Sequence, residues 1–200
     1  MRHLKIKRLV IGLLSLVCLG MASPTGVVLK GQLAAAQQGL PPSKTVTIEI
    51  EGIKEEMTLY LHEAKQLGFY TYLPQDMAAE NKWKAMLAYF KPGGHKMYKA
   101  KLEILTRDEI ESVEEMAEFI QGQLAEKGFT VEPSQARRFG FSAQEFRLSK
   151  DNLTGKVSIF EYNQRVFALI YHYPPEYGDG FETRMEIILD ELVWYESGYK

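Results

Sequence analysis

The sequence predicts an α+β fold, a mainly antiparallel sheet flanked by helices, on three observations. Alternating apolar and polar residues recur in short runs between residues 45 and 173, two later stretches carry apolar residues at helical spacing, and one run is apolar on both of its alternating faces.

The first run, Thr45-Val-Thr-Ile-Glu-Ile-Glu51, sets Val46, Ile48 and Ile50 against polar neighbours and ends at Gly52. A second strand follows at about Glu56 to His62, with Met57, Leu59 and Leu61 on one face, so the pair reads as a hairpin turning at Gly52. Gly68-Phe-Tyr-Thr-Tyr-Leu-Pro74 is a short aromatic strand stopped by a proline that cannot donate to a ladder. Trp83 to Phe90 and Tyr98 to Leu105 flank the turn signal Lys91-Pro-Gly-Gly-His95 and read as two more strands, although Lys82 to Ala88 also tolerates a helical turn.

Thr106 and Glu109 have capping-box spacing, and Ile110, Val113, Ala117, Ile120 and Leu124 form one helical stripe that Gly128 ends. The acidic outer face, Glu111, Glu114, Glu115 and Glu118, reads as dipole partners and solvated surface. After Phe129 to Val131, three strands are expected at about Gln144 to Leu148, Lys156 to Tyr162 and Arg165 to Tyr173, joined by turns at Asp151 to Gly155 and Asn163-Gln164. In the last of them Val166, Ala168 and Ile170 alternate with Phe167, Leu169 and Tyr171, so both faces are apolar and a central strand is expected. A closing helix from about Gly180 or Phe181 turns Phe181, Met185, Ile188 and Leu192 inward. Two helices are thus available to cover the two faces of the sheet.

The first 36 residues read as an export signal: a basic start through Arg8, the apolar stretch Leu9 to Ala22 and a small-residue exit. That stretch falls short of the roughly 20 residues of a permanent span. Cleavage is expected after Ala36, or alternatively after Ala22, with residues 37–44 as a flexible linker and 45–200 as a single domain. An uncleaved leader would instead tether a structural or sensory module. Cys18 is the only cysteine and lies in the leader, behind Val17 rather than the small residue a lipoprotein signal needs. The working domain therefore has no thiol for disulfides, thiolate zinc or nucleophilic catalysis. Removing Arg2, Lys5, Lys7, Arg8 and Lys30 takes the 24 basic residues to 19 against 26 acidic. Such a balance disfavours nucleic acid and anionic membrane surfaces.

Tests for chemistry fail one by one. His62-Glu63 opens like a zinc-protease motif, but Gln66 stands where the second imidazole is needed. His62, His95 and His172 lie far apart in sequence. Gly140-Phe-Ser142-Ala-Gln144 imitates a nucleophile elbow, yet Gln144 replaces the second glycine and a strand follows rather than a helix. Neither a phosphate-cradling loop nor a calcium loop can be matched. No catalytic, cofactor-binding or metal residue is assigned and no cofactor is expected. The aromatic residues Phe69, Tyr70, Tyr72, Tyr89, Phe90, Tyr171 and Tyr173 could line an apolar groove but suit sheet packing better, and Arg137-Arg138 beside Phe139 could mark a partner-facing spot.

Three stretches resemble the PsbP-like superfamily: Tyr72-Leu73-Pro74-Gln75-Asp76, the strand Arg165 to Tyr171 with its Tyr173-Pro174 exit, and the closing helix around Phe181 to Trp194. The resemblance implies an α/β/α sandwich, shared by many small exported or lipid-anchored bacterial domains, that docks to partners in the cell envelope without catalysis of its own. It carries over no functional residue. The expectation is a non-catalytic exported protein, secreted or of the cell envelope, that binds a protein partner or small apolar ligand. The alternative is an exported hydrolase whose site is assembled from dispersed residues such as Ser142 and His172.

Overall fold

The computed structural model describes residues 39–50 and 53–195. The leader, its cleavage sites, Cys18 and the hairpin turn at Gly52 lie outside the described residues. Among those described, no helix is long and apolar enough to cross a membrane.

The described residues form eleven strands and two α-helices in the order β1 (Ser43–Ile50), β2 (Ile53–Ala64), β3 (Phe69–Pro74), β4 (Met77–Lys82), β5 (Ala85–Phe90), β6 (Met97–Thr106), α1 (Val113–Glu126), β7 (Thr130–Pro133), β8 (Gln144–Lys150), β9 (Leu153–Tyr162), β10 (Arg165–Tyr173), α2 (Gly178–Asp190) and β11 (Val193–Trp194). All pairings are antiparallel, as expected. The expected single sheet, however, is two. One has four strands in the order β1-β2-β3-β11 and the other seven in the order β4-β5-β6-β10-β9-β8-β7. The chain leaves the first for the second through Gln75-Asp76, where Pro74 has ended the β3 ladder. Arg184 of α2 holds that crossing by donating from Nε to Asp76 Oδ2 at 2.7 Å.

The doubly apolar β10 is the middle strand of the larger sheet. Val166, Ala168 and Ile170 pack with Val157, Ile159, Phe146 and the buried stripe of α1, Val113, Met116, Ala117, Ile120 and Leu124. Phe167, Leu169, Tyr171 and Tyr173 pack on the opposite side with Met86, Leu102 and Ile104, with Phe69 and Leu73 of the smaller sheet, and with Phe181, Met185 and Ile188 of α2. Gly155 of β9 allows the close approach of β10: a Cβ there would stand 2.0 Å from the Tyr171 carbonyl oxygen. At the tip of that hairpin Asn163 and Gln164 both have positive φ, 48° and 59°, as a two-residue turn matched to strand twist requires.

Three boundaries differ from expectation. Thr106 ends β6 instead of capping α1, and its hydroxyl donates to Val166 O at 2.7 Å. The cap is Ser112, whose Oγ accepts from Glu115 N at 3.2 Å while Glu115 Oε2 accepts from Glu111 N at 3.1 Å. Gly128, at φ 80°, does terminate the helix: Gly128 N donates to Ala125 O and Phe129 N to Leu124 O. The closing helix stops at Asp190, so Leu192 follows it and Trp194 pairs with Phe69 as a strand. Finally, β4 has no counterpart in the sequence reading, and Trp83 lies in the turn after it, 74% exposed.

Candidate functional site

The residues of the hydrolase alternative are not brought together. His172 lies on β10 opposite Gly155 and Lys101, on the face shared with Ile170 and α1. Its Nδ1 is 2.9 Å from Lys99 O. A carbonyl only accepts, so Nδ1 donates and the neutral ring keeps its lone pair on Nε2. Burial, reinforced by Lys101, lowers this imidazole to about 4. It stands at one end of a cleft of about 90 Å³ between α1 and β6 and β10, walled by Leu105, Ile120, Leu124 and Phe129. Ser142 is buried against the other face, where its hydroxyl shares a hydrogen bond with Ser158 of β9, whose cross-strand partner Leu169 belongs to the α2-side core. The larger sheet therefore separates the proposed nucleophile from its base, beyond any hydrogen-bond reach. His62 is half-buried, 3.0 Å from Asn81 Oδ1, and His95 is exposed beside the 3-10 turn Pro92–Gly94. Among the described residues no group of three or more His, Cys, Asp or Glu is placed to hold a metal.

Arg137 and Arg138, read from the sequence as a solvated pair that could also mark a partner-facing spot, both bond within the chain. Arg137 Nη1 donates to Ser142 O at 3.1 Å. The Arg138 guanidinium reaches Glu182 at 2.9 Å and Glu186 at 2.7 Å on α2, and donates to Tyr171 Oη at 3.2 Å. Tyr173 donates its hydroxyl to the same Glu182 carboxylate. Burial alone would raise Glu182, but the hydrogen bonds from Arg138 and Tyr173 outweigh it and hold this carboxyl below its ordinary value. Beneath them Glu145 of β8, its side chain 1% exposed, accepts the backbone N–H of Arg138 at 2.8 Å and of Phe139 at 2.9 Å. Residues 134–143 are thus strapped to β8 below and to α2 at the side.

What the strap presents is aromatic. Phe141 is 51% exposed, stacks on Phe139 with ring centroids 5.2 Å apart and meets Phe160 edge-on at 5.0 Å. Phe160 meets Trp194 at 6.5 Å, and Trp194 stacks on Tyr162 at 4.2 Å. Tyr162 and the neighbouring Val193 are exposed. The ridge is continuous with the core, because Trp194 also packs edge-on against Phe69 and Phe167. Pairing of β11 with β3 sets the Trp194 ring, and the Glu145 strap sets Phe139 and Phe141. Of the aromatic residues weighed from the sequence, Phe69, Tyr72, Tyr89, Tyr171 and Tyr173 are buried and Tyr70 and Phe90 half-buried, so they serve packing. The ridge residues escaped notice because Phe141 sits in an irregular loop and Trp194 beyond a helix, where no periodicity marks exposure.

No protein-family model matches the chain, and no curated protein matches its sequence. Among solved structures it is similar to cyanobacterial PsbP (CyanoP) from Synechocystis sp. PCC 6803, at 10% identity and a TM-score of 0.45 over 68% of this chain and 92% of that one. It is also similar to a protein from Bacteroides thetaiotaomicron, at 14% identity and a TM-score of 0.41, over 69% of this chain but only 49% of that one. A third similarity is to LpqN of Mycobacterium tuberculosis, a protein involved in cell envelope biogenesis, at 14% identity and a TM-score of 0.33 over 77% and 92% of the two chains. The resemblance is one of fold.

Proposed function

We propose that this chain is a non-catalytic exported domain, secreted or held in the cell envelope, that binds a protein partner or small apolar ligand through the ridge of Phe139, Phe141, Phe160, Tyr162 and Trp194. We read it as a PsbP-like sandwich on the sequence pattern described above. One observation carries the binding role: the exposed rings of Phe141 and Tyr162, each stacked on a partner ring, are joined through the buried Phe160 in one chain of aromatic contacts, with Phe141 half exposed on a strap fixed from beneath. Isolated exposed apolar residues are ordinary, whereas contiguous aromatic patches on rigid supports are where binding energy concentrates. Export is supported by the basic and apolar opening of the sequence.

The test places a photo-crosslinking phenylalanine analogue at position 141, and in a control at the exposed Glu118 of α1, in the native host. A discrete adduct from position 141 alone, lost when Trp194 is changed to serine in a folded protein, is the expected result. Equal labelling at both positions, or none at 141, would reject the ridge. Intact mass of the native protein tests export: a chain beginning at Met1 and dissolved in the cytosol contradicts it.

A further inference from the structure

The two sheets have four free edges, and three are blunted. β11 is two residues long, β7 has four and ends in Pro133, and β4 carries Glu80 and Lys82 and has Asn81 tied to Glu63 O of β2. The fourth edge, β1, is eight residues long, has no proline and no bulge in its register with β2, and pairs with nothing else among the described residues. Its only basic side chain, Lys44, is held by Glu191.

Which groups this edge presents follows from one bond. Leu61 N donates to Pro42 O at 3.0 Å, which makes Pro42 and Leu61 a hydrogen-bonded pair continuing the β1–β2 register. Such pairs alternate, so Lys44, Val46 and Ile48 turn their N–H and C=O groups toward β2. Ser43, Thr45, Thr47 and Glu49 turn theirs outward.

We infer that this edge pairs with the same edge of a second copy, joining two four-stranded sheets into one. An antiparallel two-fold through Val46 is the register that matches every outward residue, Ser43 with Glu49 and Thr45 with Thr47 of the other copy. Registers centred on Thr45 or Thr47 leave one of them unmatched. The chosen register also sets Val46 against Val46 on the apolar face, where the non-hydrogen-bonded spacing brings side chains closest. Lys44 faces Ile48 instead of its own copy, so no like charges are opposed. A two-fold contact of this kind closes on itself and stops at a dimer.

The experiment measures the mass of the purified full chain by light scattering between about 1 and about 200 µM, where mass action drives a weak dimer from apart to assembled. Wild type should double its mass across this range. Thr47→Pro removes an outward N–H and leaves the β1–β2 ladder whole, so it should weaken association at least about tenfold with little change in thermal midpoint. Should that proline unfold the chain, Thr45→Lys/Thr47→Lys, at two exposed positions, sets ammonium groups against one another across the dimer, while Glu56 of β2, opposite position 47, favours the change within the chain; it should act the same way. A wild type that stays monomeric throughout, or an edge variant that dimerises as well as wild type, overturns the inference. Both outcomes are independent of crosslinking at Phe141.

Discussion

Replacing Glu145 with alanine should loosen the aromatic ridge and destabilise the whole domain. The carboxylate is nearly sealed from solvent and accepts two backbone donors, Arg138 N at 2.8 Å and Phe139 N at 2.9 Å. A hydrogen bond to a charged acceptor contributes about 1.5–3 kcal/mol, so losing both costs roughly 3–6 kcal/mol. For a chain of this size that corresponds to a fall in Tm of roughly 6–24 °C. Glu145→Gln keeps one acceptor oxygen and should lose about half as much. The assay is thermal unfolding by circular dichroism together with amide hydrogen exchange, in which the Arg138 and Phe139 amides should lose protection first. A Tm within about 2 °C of wild type, or unchanged exchange at these two amides, refutes the strap.

Gly155→Ala should cost about 3 kcal/mol or more in urea unfolding, because its Cβ would meet the Tyr171 carbonyl at 2.0 Å and His172 Cα at 2.8 Å, forcing β9 from β10. A wild-type midpoint would mean that the two strands do not approach as described. The His172 ring is held at about 4 when folded against about 6.5 when unfolded. The unfolded chain therefore binds the extra proton between these values, and stability is lost as pH falls through that window, by up to roughly 3 kcal/mol below it. His172→Gln lacks this contribution, so its deficit relative to wild type should shrink between pH 7 and pH 4 in parallel urea titrations. Ser112→Ala should cost about 1 kcal/mol through loss of the α1 cap, whereas Glu109→Ala, at the sequence-expected capping position, should cost under about 0.5 kcal/mol in the same titration.

Where a side chain's burial repeats along the chain, the sequence was enough. The two apolar faces of Arg165 to Tyr173 named the middle strand of the sheet, and the stripe from Val113 to Leu124 named the helix that covers it. β4 was missed because Met-Ala-Ala-Glu-Asn-Lys has almost no strand preference of its own and exists through its pairing with β5. The division into two sheets turns on a two-residue crossing held by a residue more than a hundred positions away, which no local pattern records. Thr106 was mistaken for a cap because Thr-x-x-Glu is also what a strand end followed by an acidic loop looks like. Of the candidate site, Arg138 was visible but its role was not, since its anchors lie on β8 and α2. Ser142 and His172 could be separated only once strand parity put them on opposite sides of one sheet.

The middle position of β10 has a consequence for biosynthesis. Its ladder partners are β6, made long before it, and β9, made just before it, so the larger sheet stays in two unjoined pieces until residue 173 has left the ribosome. The smaller sheet can form early from β1, β2 and β3 and gains only its short edge strand, Val193–Trp194, later still. A nascent chain of this protein therefore holds its larger sheet open until β10 has emerged, a condition in which a translocase can thread it or a holding chaperone can keep it from aggregating.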